Sequence, residues 1–372
     1  MNQAKRLPRP FFAIYLLAAV SAVLYGCFLL SAPFADWFNQ HISAFGRATL
    51  AYASNLLPFS IAELTLILIP FWLVLFILLA RHYSSSLHDA IVYLGILFGI
   101  VLSVLILFVW NFAPGYFGST LDQKLEIERS KVSAEELYKT SMILSDELNE
   151  LEDEIVFLQS GASVMPYSYK EMNDKLLAAY ERFAENHQFI TTFSSHVKPV
   201  MLSDPMSYTH ITGVYTFFTG EANLNVNFPD YTLPYTAAHE LAHQRGIARE
   251  DEANFVAFLV CMESDDVYIR YSALLNLYEY VVSALYSADA NLYFKSYGTL
   301  PKSMREERVA YSLFFDKYRD NVVADVSQAT NDAYLQSQGN KEGTKSYGMV
   351  VDLAVAYYRP QISKGTSQDL GA

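Results

Sequence analysis

Three apolar segments near the N-terminus constrain the fold more than any other feature of this sequence. Residues 11–30, 61–80 and 90–110 are nearly continuous apolar sequence, and about 20 such residues are enough for an α-helix to cross the hydrocarbon core of a bilayer. Because a backbone exposed to lipid must satisfy its hydrogen bonds internally, these segments are restricted to helices. The sequence therefore predicts a membrane anchor, residues 1–112, with three transmembrane helices.

The distribution of basic residues predicts how the anchor is oriented. Lys5, Arg6 and Arg9 precede the first apolar segment, and Arg81 lies in the short loop between the second and the third. The positive-inside rule places both regions in the cytoplasm, although Arg47 in the intervening loop opposes it. We therefore expect a multi-pass protein of the plasma membrane with a cytoplasmic N-terminus, and an odd number of spans puts the rest of the chain outside.

Charge and cysteine content narrow the classes of function. The net charge of −13 is carried mostly by residues after position 112, and this acidity argues against a nucleic-acid partner, which would need a basic surface. Cys27 and Cys261 are the two cysteines, so neither a disulfide framework nor a cysteine-based metal site is indicated.

The pattern changes after the third segment to that of a mainly helical domain, residues 113–360, followed by a flexible polar tail, residues 361–372. Residues 208–227 contain many β-branched and aromatic side chains interrupted by glycine, which predicts two short strands. Three Ser-x-x-Glu patterns precede apolar runs and predict helix N-termini with capping boxes. These patterns are Ser133 with Glu136, Ser168 with Glu171, and Ser303 with Glu306.

One His-Glu-x-x-His motif carries the chemistry of this domain. His239 and His243 lie four residues apart in a segment that ends at Gly246, so on a helix both imidazoles emerge from one face, one turn apart. They can occupy two corners of a zinc tetrahedron. Glu240 lies beside them and can take a proton from a water molecule that zinc has activated. The motif predicts zinc-dependent hydrolysis with Glu240 as the general base.

A third zinc ligand is expected from the acidic residues that follow. Glu250, Asp251 and Glu252 begin the next predicted helix, where acids are also common simply because the helix dipole favours them. The helix face of Glu250 continues through small residues, which would allow close approach to the histidine helix, whereas that of Glu252 continues through large apolar residues. We therefore predict Glu250 as the ligand and keep Glu252 as the alternative.

These motifs resemble a known family. Residues 239–246, His-Glu-Leu-Ala-His-Gln-Arg-Gly, residues 250–255, Glu-Asp-Glu-Ala-Asn-Phe, and residues 219–225 look like the bacterial membrane proteins grouped as domain of unknown function 3810. More distantly they resemble gluzincin peptidases. The resemblance implies a zincin-like, gluzincin fold with a small β element, and a role for Asn254 in supporting a ligand histidine. One departure is that six residues separate His243 from Glu250, fewer than in most gluzincins.

Zinc peptidases generally pair the substrate backbone with an extended edge strand beside the active-site helix. Residues 220–227 are the best candidate for this strand, and Asn223 and Asn225 could then bind substrate amides. Ordinary polar residues on an exposed strand would show the same pattern.

The sequence thus predicts a membrane-anchored zinc metallopeptidase that cleaves peptides or membrane proteins outside the membrane. The alternative is a non-catalytic membrane protein with a structural zinc site and a helical domain that binds a partner. Zinc-dependent hydrolysis of a non-peptide amide, as in a cell wall, fits the same residues.

Overall fold

The structure is a computed structural model that describes residues 5–337 and 349–369. The chain divides into two compact units, Met1–Gly118 together with Thr216–Glu221, and Ser119–Tyr215 together with Ala222–Ala372. The N-terminal unit therefore extends six residues beyond the predicted boundary at 112. It also includes a short segment from the middle of the chain, which the sequence did not indicate.

The N-terminal unit is helical in the residues described. A π-helix, Asn39–Ser43, joins its second and third helices. Its α-helices are α1 (Arg9–Leu30), α2 (Ala32–Phe38), α3 (Ala44–Asn55), α4 (Ile61–Ile67), α5 (Ile69–His82), α6 (Leu87–Asn111) and α7 (Pro114–Phe117).

Two helices among the described residues, α1 and α6, are long and apolar enough to cross a membrane. They run parallel, because the Tyr15 hydroxyl donates to the Gly95 carbonyl (2.6 Å) and the Trp110 indole N–H donates to the Ser21 hydroxyl (2.9 Å). Most of their side chains are exposed, which suits contact with lipid. The first and third predicted spans are therefore present as helices.

The second apolar segment differs from the prediction of one helix over residues 61–80. The structure breaks it at Leu68 into α4 and α5, which are bent by 61°. Pro70 lies in the first turn of α5, and proline removes a backbone hydrogen bond and clashes with the carbonyl four residues earlier. The prediction of one uninterrupted span here is wrong, and the pair counts as a third span only if both helices form one bent span.

The inserted segment Thr216–Glu221 packs within the N-terminal unit. The Glu221 carboxylate accepts hydrogen bonds from the backbone N–H groups of Ile61 and Ala62, each at 2.9 Å, and thereby caps the first turn of α4. Gly220 has a φ of +71°, and a Cβ atom there would lie 2.6 Å from the Leu50 Cβ. A glycine is therefore required at the point where this segment approaches α3.

The C-terminal unit is also mainly helical, with one small sheet. A 3-10 helix, Glu152–Glu154, follows its second helix. Its helices are α8 (Leu121–Lys124), α9 (Ala134–Leu151), α10 (Tyr169–Asn186), α11 (Ser203–Ser207), α12 (Thr232–Gln244), α13 (Glu250–Met262), α14 (Val267–Ala288), α15 (Ala290–Tyr297), α16 (Lys302–Phe315), α17 (Val322–Ser337) and α18 (Val350–Asp369), and its strands are β1 (Lys198–Pro199), β2 (Gly213–Thr216) and β3 (Glu221–Leu224).

Two of the three predicted helix N-termini are confirmed. Ser133 and Glu136 form a capping box at the start of α9, and the Ser168 hydroxyl accepts a hydrogen bond from the third residue of α10. The third is wrong, because α16 begins at Lys302 after Pro301, and the Ser303 hydroxyl instead donates to Glu152 (2.6 Å). Pro301 is the N-cap residue, so the helix starts directly after it, ahead of the N-cap predicted at Ser303.

The sheet has the strand order β1-β3-β2, with β1 parallel to β3. Strand β3 is central and buried along its whole length, so the expectation that residues 220–227 form an edge strand is wrong. Strand β2 occupies an edge instead. Strand β1 has two residues. A strand this short has no periodic sequence pattern, so the sequence did not predict it.

The C-terminal helix extends further than the sequence indicated. Helix α18 continues through Pro360 to Asp369, so the expectation of a flexible tail from residue 361 is wrong as far as 369. Residues 370–372 lie outside the described residues. Leu353 and Tyr358 are among the buried side chains of α18, and this helix packs against α9 and α13.

Candidate metal centre

Two consecutive helices, α12 and α13, bring the predicted ligands together. Helix α12 ends at Gln244, and Gly246 follows with a φ of +96°, a conformation that side chains with a Cβ atom rarely adopt. Helix α13 then begins at Glu250 and packs against α12. The short connection after His243 is thus compatible with a site shared by both helices.

The two histidines and Glu250 converge on one point. The Glu250 Oε2 atom lies 3.2 Å from the Nε2 atom of His239 and 3.4 Å from that of His243. All three ligand atoms lie within 4.8 Å of one another. Tetrahedral ligands about 2.0–2.1 Å from zinc are roughly 3.3–3.4 Å apart. The donor set of two imidazoles and one carboxylate therefore fits zinc in both chemistry and spacing.

The orientation of His243 is fixed by the backbone. Its Nδ1 atom lies 2.7 Å from the Ile247 carbonyl oxygen, so Nδ1–H donates there and Nε2 is the ring nitrogen directed at the cluster and available to a metal. The Nδ1 atom of His239 has no hydrogen-bond partner in the part of the chain that the structure describes. Sequence reasoning missed Ile247, because every residue offers a carbonyl and no side-chain pattern marks this one.

Asn254, which the family resemblance implies as support for a ligand histidine, has a different environment. Its backbone carbonyl accepts a hydrogen bond from the Tyr235 hydroxyl (3.0 Å). Its side-chain nitrogen is buried and has no partner among residues 5–337 and 349–369. The structure therefore shows no hydrogen bond from this amide to either histidine.

The three consecutive acids at the start of α13 have three different environments. Glu250 faces the histidines, whereas Asp251 forms an ion pair with Arg129 (3.0 Å). Glu252 accepts hydrogen bonds from the backbone N–H of Leu121 (3.0 Å) and from the Arg249 guanidinium (2.8 Å). The structure thus brings Glu250 into the cluster and leaves Glu252, the alternative ligand, outside it.

The electrostatics of the two glutamates differ accordingly. Burial alone would raise the pKa of Glu250, but the charges and hydrogen bonds of His243 and His239 hold that pKa well below its usual range. Burial raises the pKa of Glu252, and Arg249 only partly opposes this. Glu250 is therefore the carboxylate that stays ionised, as a metal ligand must.

Glu240 is buried beside the cluster. Burial raises its pKa to about 7, although the neighbouring charges of His239 and His243 lower it, and the backbone N–H of Tyr215 donates a hydrogen bond to it. Its Oε2 atom has no hydrogen-bond partner among the described residues. A carboxylate with a pKa near neutrality and one uncommitted oxygen can accept a proton and release it again.

Strand β2 lies against Glu240. A Cβ atom on Gly213 would be 2.5 Å from the Glu240 Oε1 atom, so a larger residue could not occupy this position without a shift. The sequence analysis overlooked β2 as part of the site. Glycine within a strand pattern often marks such a close approach, and Gly213 before Val214 was the available signal.

Asn223 and Asn225, the predicted substrate-binding residues, are both buried. The Asn223 amide donates to the Val214 carbonyl (3.2 Å). The Asn225 amide donates to the Ser207 hydroxyl and to the Ile211 carbonyl, each at 3.1 Å. These side chains hold β3 to neighbouring segments, and their predicted contact with substrate stays a prediction.

Comparison with known proteins gives one match. Neither the curated proteins nor the solved structures contain a significant match to this chain. A family model described as "Protein of unknown function (DUF3810)" matches residues 38–355, a range that includes His239, Glu240, His243 and Glu250. On this match, which covers most of its length, the chain belongs to the DUF3810 family.

Proposed function

We propose that the chain is a membrane-anchored zinc metallopeptidase in which His239, His243 and Glu250 hold the metal and Glu240 is the general base. The convergence of three ligand atoms within 4.8 Å carries the proposal. The uncommitted Oε2 atom of the buried Glu240 supports it.

The composition of the cluster favours catalysis over a purely structural role for the metal. Structural zinc sites are closed by four protein ligands, whereas catalytic sites have three and keep one position for water or substrate. Within the described residues the group has three members. A base beside the metal has a use only if a water molecule reacts there.

Zinc, when bound, would make a water molecule more acidic and polarise the carbonyl of the scissile bond. Glu240 would accept the proton of the attacking water and deliver it to the nitrogen of the leaving amine. In the metal-free chain burial raises the pKa of Glu240 to about 7, and the charge of bound zinc would lower it and keep the carboxylate ready to accept a proton. The backbone N–H of Tyr215 fixes one side of the carboxylate during this exchange, and burial keeps bulk water away from it.

We place the substrate along β2. This strand is at an edge of the sheet and approaches Glu240 at Gly213, and an extended peptide can add to such an edge through backbone hydrogen bonds. Asn223 and Asn225 would then act by holding the adjacent strand. The substrate would be a peptide or an exposed segment of a membrane protein.

For the location we propose a cytoplasmic N-terminus and an extracytoplasmic C-terminal unit, with α4 and α5 forming one bent span. The basic residues Lys5, Arg6, Arg9 and Arg81 support this orientation. Protease added to intact cells should then digest a tag placed after Ala372 and spare a tag placed before Met1. The reverse pattern would invert the orientation.

Zinc content and hydrolysis of a diverse peptide library test the function. The full chain in detergent should retain about one zinc per molecule and cleave a subset of the peptides. The double variant His239→Ala/His243→Ala should do neither. Zinc retained by the double variant would refute the site, and a zinc-loaded wild-type chain that cleaves nothing in the library would favour the non-catalytic alternative.

A further inference from the structure

The segment between α1 and α4 is a second kind of membrane element. Residues 32–55 form an almost continuous helix made of α2, the π-helix Asn39–Ser43 and α3, and it starts one residue after α1 ends. At about 1.5 Å per residue it is roughly 36 Å long. Its three parts are separate helical segments of 7, 5 and 12 residues, and the sequence predicted this region as a loop between two spans.

The polar side chains of this helix are distributed unlike those of a water-soluble helix. The buried face carries Asn39, Ser43 and Arg47 beside Phe38 and several alanines, and Arg47 is completely inaccessible. The exposed face carries a stripe of large apolar side chains that are 49–83% exposed. We call Trp37, Phe45 and Tyr52 the aromatic stripe, which Leu56 continues just after the helix. Soluble amphipathic helices bury the apolar face and expose the charges, whereas helices in contact with lipid turn charged residues towards the protein.

The buried polar face is held by specific hydrogen bonds. The Arg47 guanidinium donates to the Asn39 side chain (2.7 Å), to the Asn39 carbonyl (3.0 Å) and to the Asn111 carbonyl (2.8 Å). The Ser43 hydroxyl donates to the Trp110 carbonyl. These contacts fix which face of the helix is turned away from the protein, so the exposure of the stripe follows from the fold.

The same contacts place the helix across one end of the membrane helices. Residues 38–47 reach α6 through Trp110 and Asn111, which belong to its last turn. Because α1 and α6 are parallel, the ends of both lie on one side of the membrane. A helix of this length that meets α6 at its last turn crosses the end of α6 and does not run along it.

We propose that residues 32–55 form an interfacial membrane helix, with the aromatic stripe inserted at the boundary between headgroups and acyl chains. The leaflet is the one at the C-terminal ends of α1 and α6. Trp and Tyr are the side chains that prefer this depth, and such helices bury their apolar face about 5–10 Å into the boundary. Leu29 and Leu30 of α1, which are exposed, precede the helix directly, so the surface is continuous with that of a span.

The exposed face suits lipid better than water because it lacks charged groups to solvate it. His41 and Thr49 are the polar side chains among its exposed positions. This placement does not depend on the proposed peptidase activity.

Fluorescence quenching in bilayers tests the proposal. The full chain is reconstituted into phosphatidylcholine vesicles in which the lipid is brominated either near the carbonyl or near the end of the acyl chain. The first probe is a tryptophan introduced by Phe45→Trp at an exposed position of the stripe. The second is the natural Trp37, whose emission is obtained as the difference between the wild type and Trp37→Phe. A matched control is Phe294→Trp, at a residue of α15 that is 63% exposed.

Trp at 45 and Trp37 should be quenched more strongly by bromine near the carbonyl than by bromine near the chain end, at a depth of about 5–10 Å, and should be protected from aqueous acrylamide. Trp at 294 should be quenched by neither brominated lipid and should be accessible to aqueous acrylamide. Acrylamide quenching of position 45 equal to that of position 294 would overturn the proposal. Protection of position 45 from every quencher, together with dimers that Phe45→Asp dissociates, would overturn it in favour of a second copy of the chain.

Discussion

Two regions of the C-terminal unit bury carboxylates, and they differ in how these groups are satisfied. In the first, around α16, Glu307 accepts hydrogen bonds from the Ser163 backbone N–H (2.9 Å), the Ser163 hydroxyl (2.8 Å) and the Tyr271 hydroxyl. In the second, around α12, Glu240 has a buried oxygen without a partner among the described residues, and two imidazoles face one oxygen of Glu250.

The difference separates structure from function. An unsatisfied buried polar atom costs about 1–3 kcal/mol, and a bound ligand or water can remove that cost. The Glu307 cluster is complete with protein atoms and needs no ligand. The cluster of His239, Glu240, His243 and Glu250 leaves atoms uncommitted in one small volume, which is the condition for a site that binds a ligand.

The largest expected effect is on peptide hydrolysis, and it distinguishes Glu240 from Glu307. Glu240→Gln should lower peptide hydrolysis by about 10²–10⁴-fold, because the amide cannot accept the proton of water, while zinc content stays at the wild-type level. Glu307→Gln is the matched control, and its activity per folded molecule should stay near that of the wild type. Rates on the peptide library, with zinc measured in parallel, decide this. Equal losses in both variants would remove the distinction.

The next effect is on zinc affinity, and it distinguishes two glutamates in the first turn of α13. Glu250→Gln should weaken zinc binding by more than about 100-fold, which exceeds the usual loss on changing a residue that only supports a ligand. Glu252→Gln should leave affinity within a few-fold of the wild type, since its carboxylate binds Arg249 and Leu121. Competition with a fluorescent chelator gives both constants. The opposite ranking would make Glu252 the ligand.

A smaller effect concerns stability with and without zinc. Ser163→Ala should destabilise the chain by about 1–3 kcal/mol, because Glu307 loses a hydrogen bond in a buried place, and the loss should be the same in zinc-loaded and zinc-stripped protein. His239→Ala should abolish the stabilisation that zinc gives to the wild type. Thermal unfolding in detergent measures the wild type and both variants, each with and without zinc. A zinc-dependent loss in Ser163→Ala would contradict the separation of the two clusters.

The sequence was most informative where a local pattern determines structure. A four-residue spacing on a helix puts His239 and His243 on one face whatever surrounds them, and the family motifs indicated the environment of the site. The sequence favoured Glu250 over Glu252 as the third zinc ligand but did not decide between them. The two glutamates differ mainly in the partners that the fold brings to each of them.

What the sequence did not reveal depends on contacts between distant segments. The insertion of Glu221 against α4 and the central position of β3 arise from packing that no local pattern encodes. The break at Leu68 differs from these, because Pro70 is a local signal for it. Residues 32–55 were missed for a related reason. A hydropathy average counts Arg47 as polar wherever it points, whereas the fold turns it inwards and leaves the aromatic stripe outside.

The smallest effect, taken per pH unit, is a dependence on pH in which stability and zinc affinity change in opposite directions. Burial lowers the pKa of His243, but the charge and hydrogen bond of Glu250 outweigh it and raise that pKa to about 9. In zinc-free protein the protonated histidine therefore stabilises the fold fully below its unfolded pKa of about 6.5, and this contribution disappears as pH rises through about 9. The raised pKa of Glu240 also makes stability fall as the pH rises from about 4.5 to about 7.

Zinc must displace the proton from His243 in order to bind. Zinc affinity should therefore rise about tenfold per pH unit between about pH 6.5 and about pH 9. Chemical unfolding of the stripped chain and chelator competition at pH 6.5 to 9 measure the two trends. His243→Asn should flatten the stability profile above pH 7, and a zinc-free chain that becomes more stable from pH 7 to 9 would show that His243 is neutral in the fold.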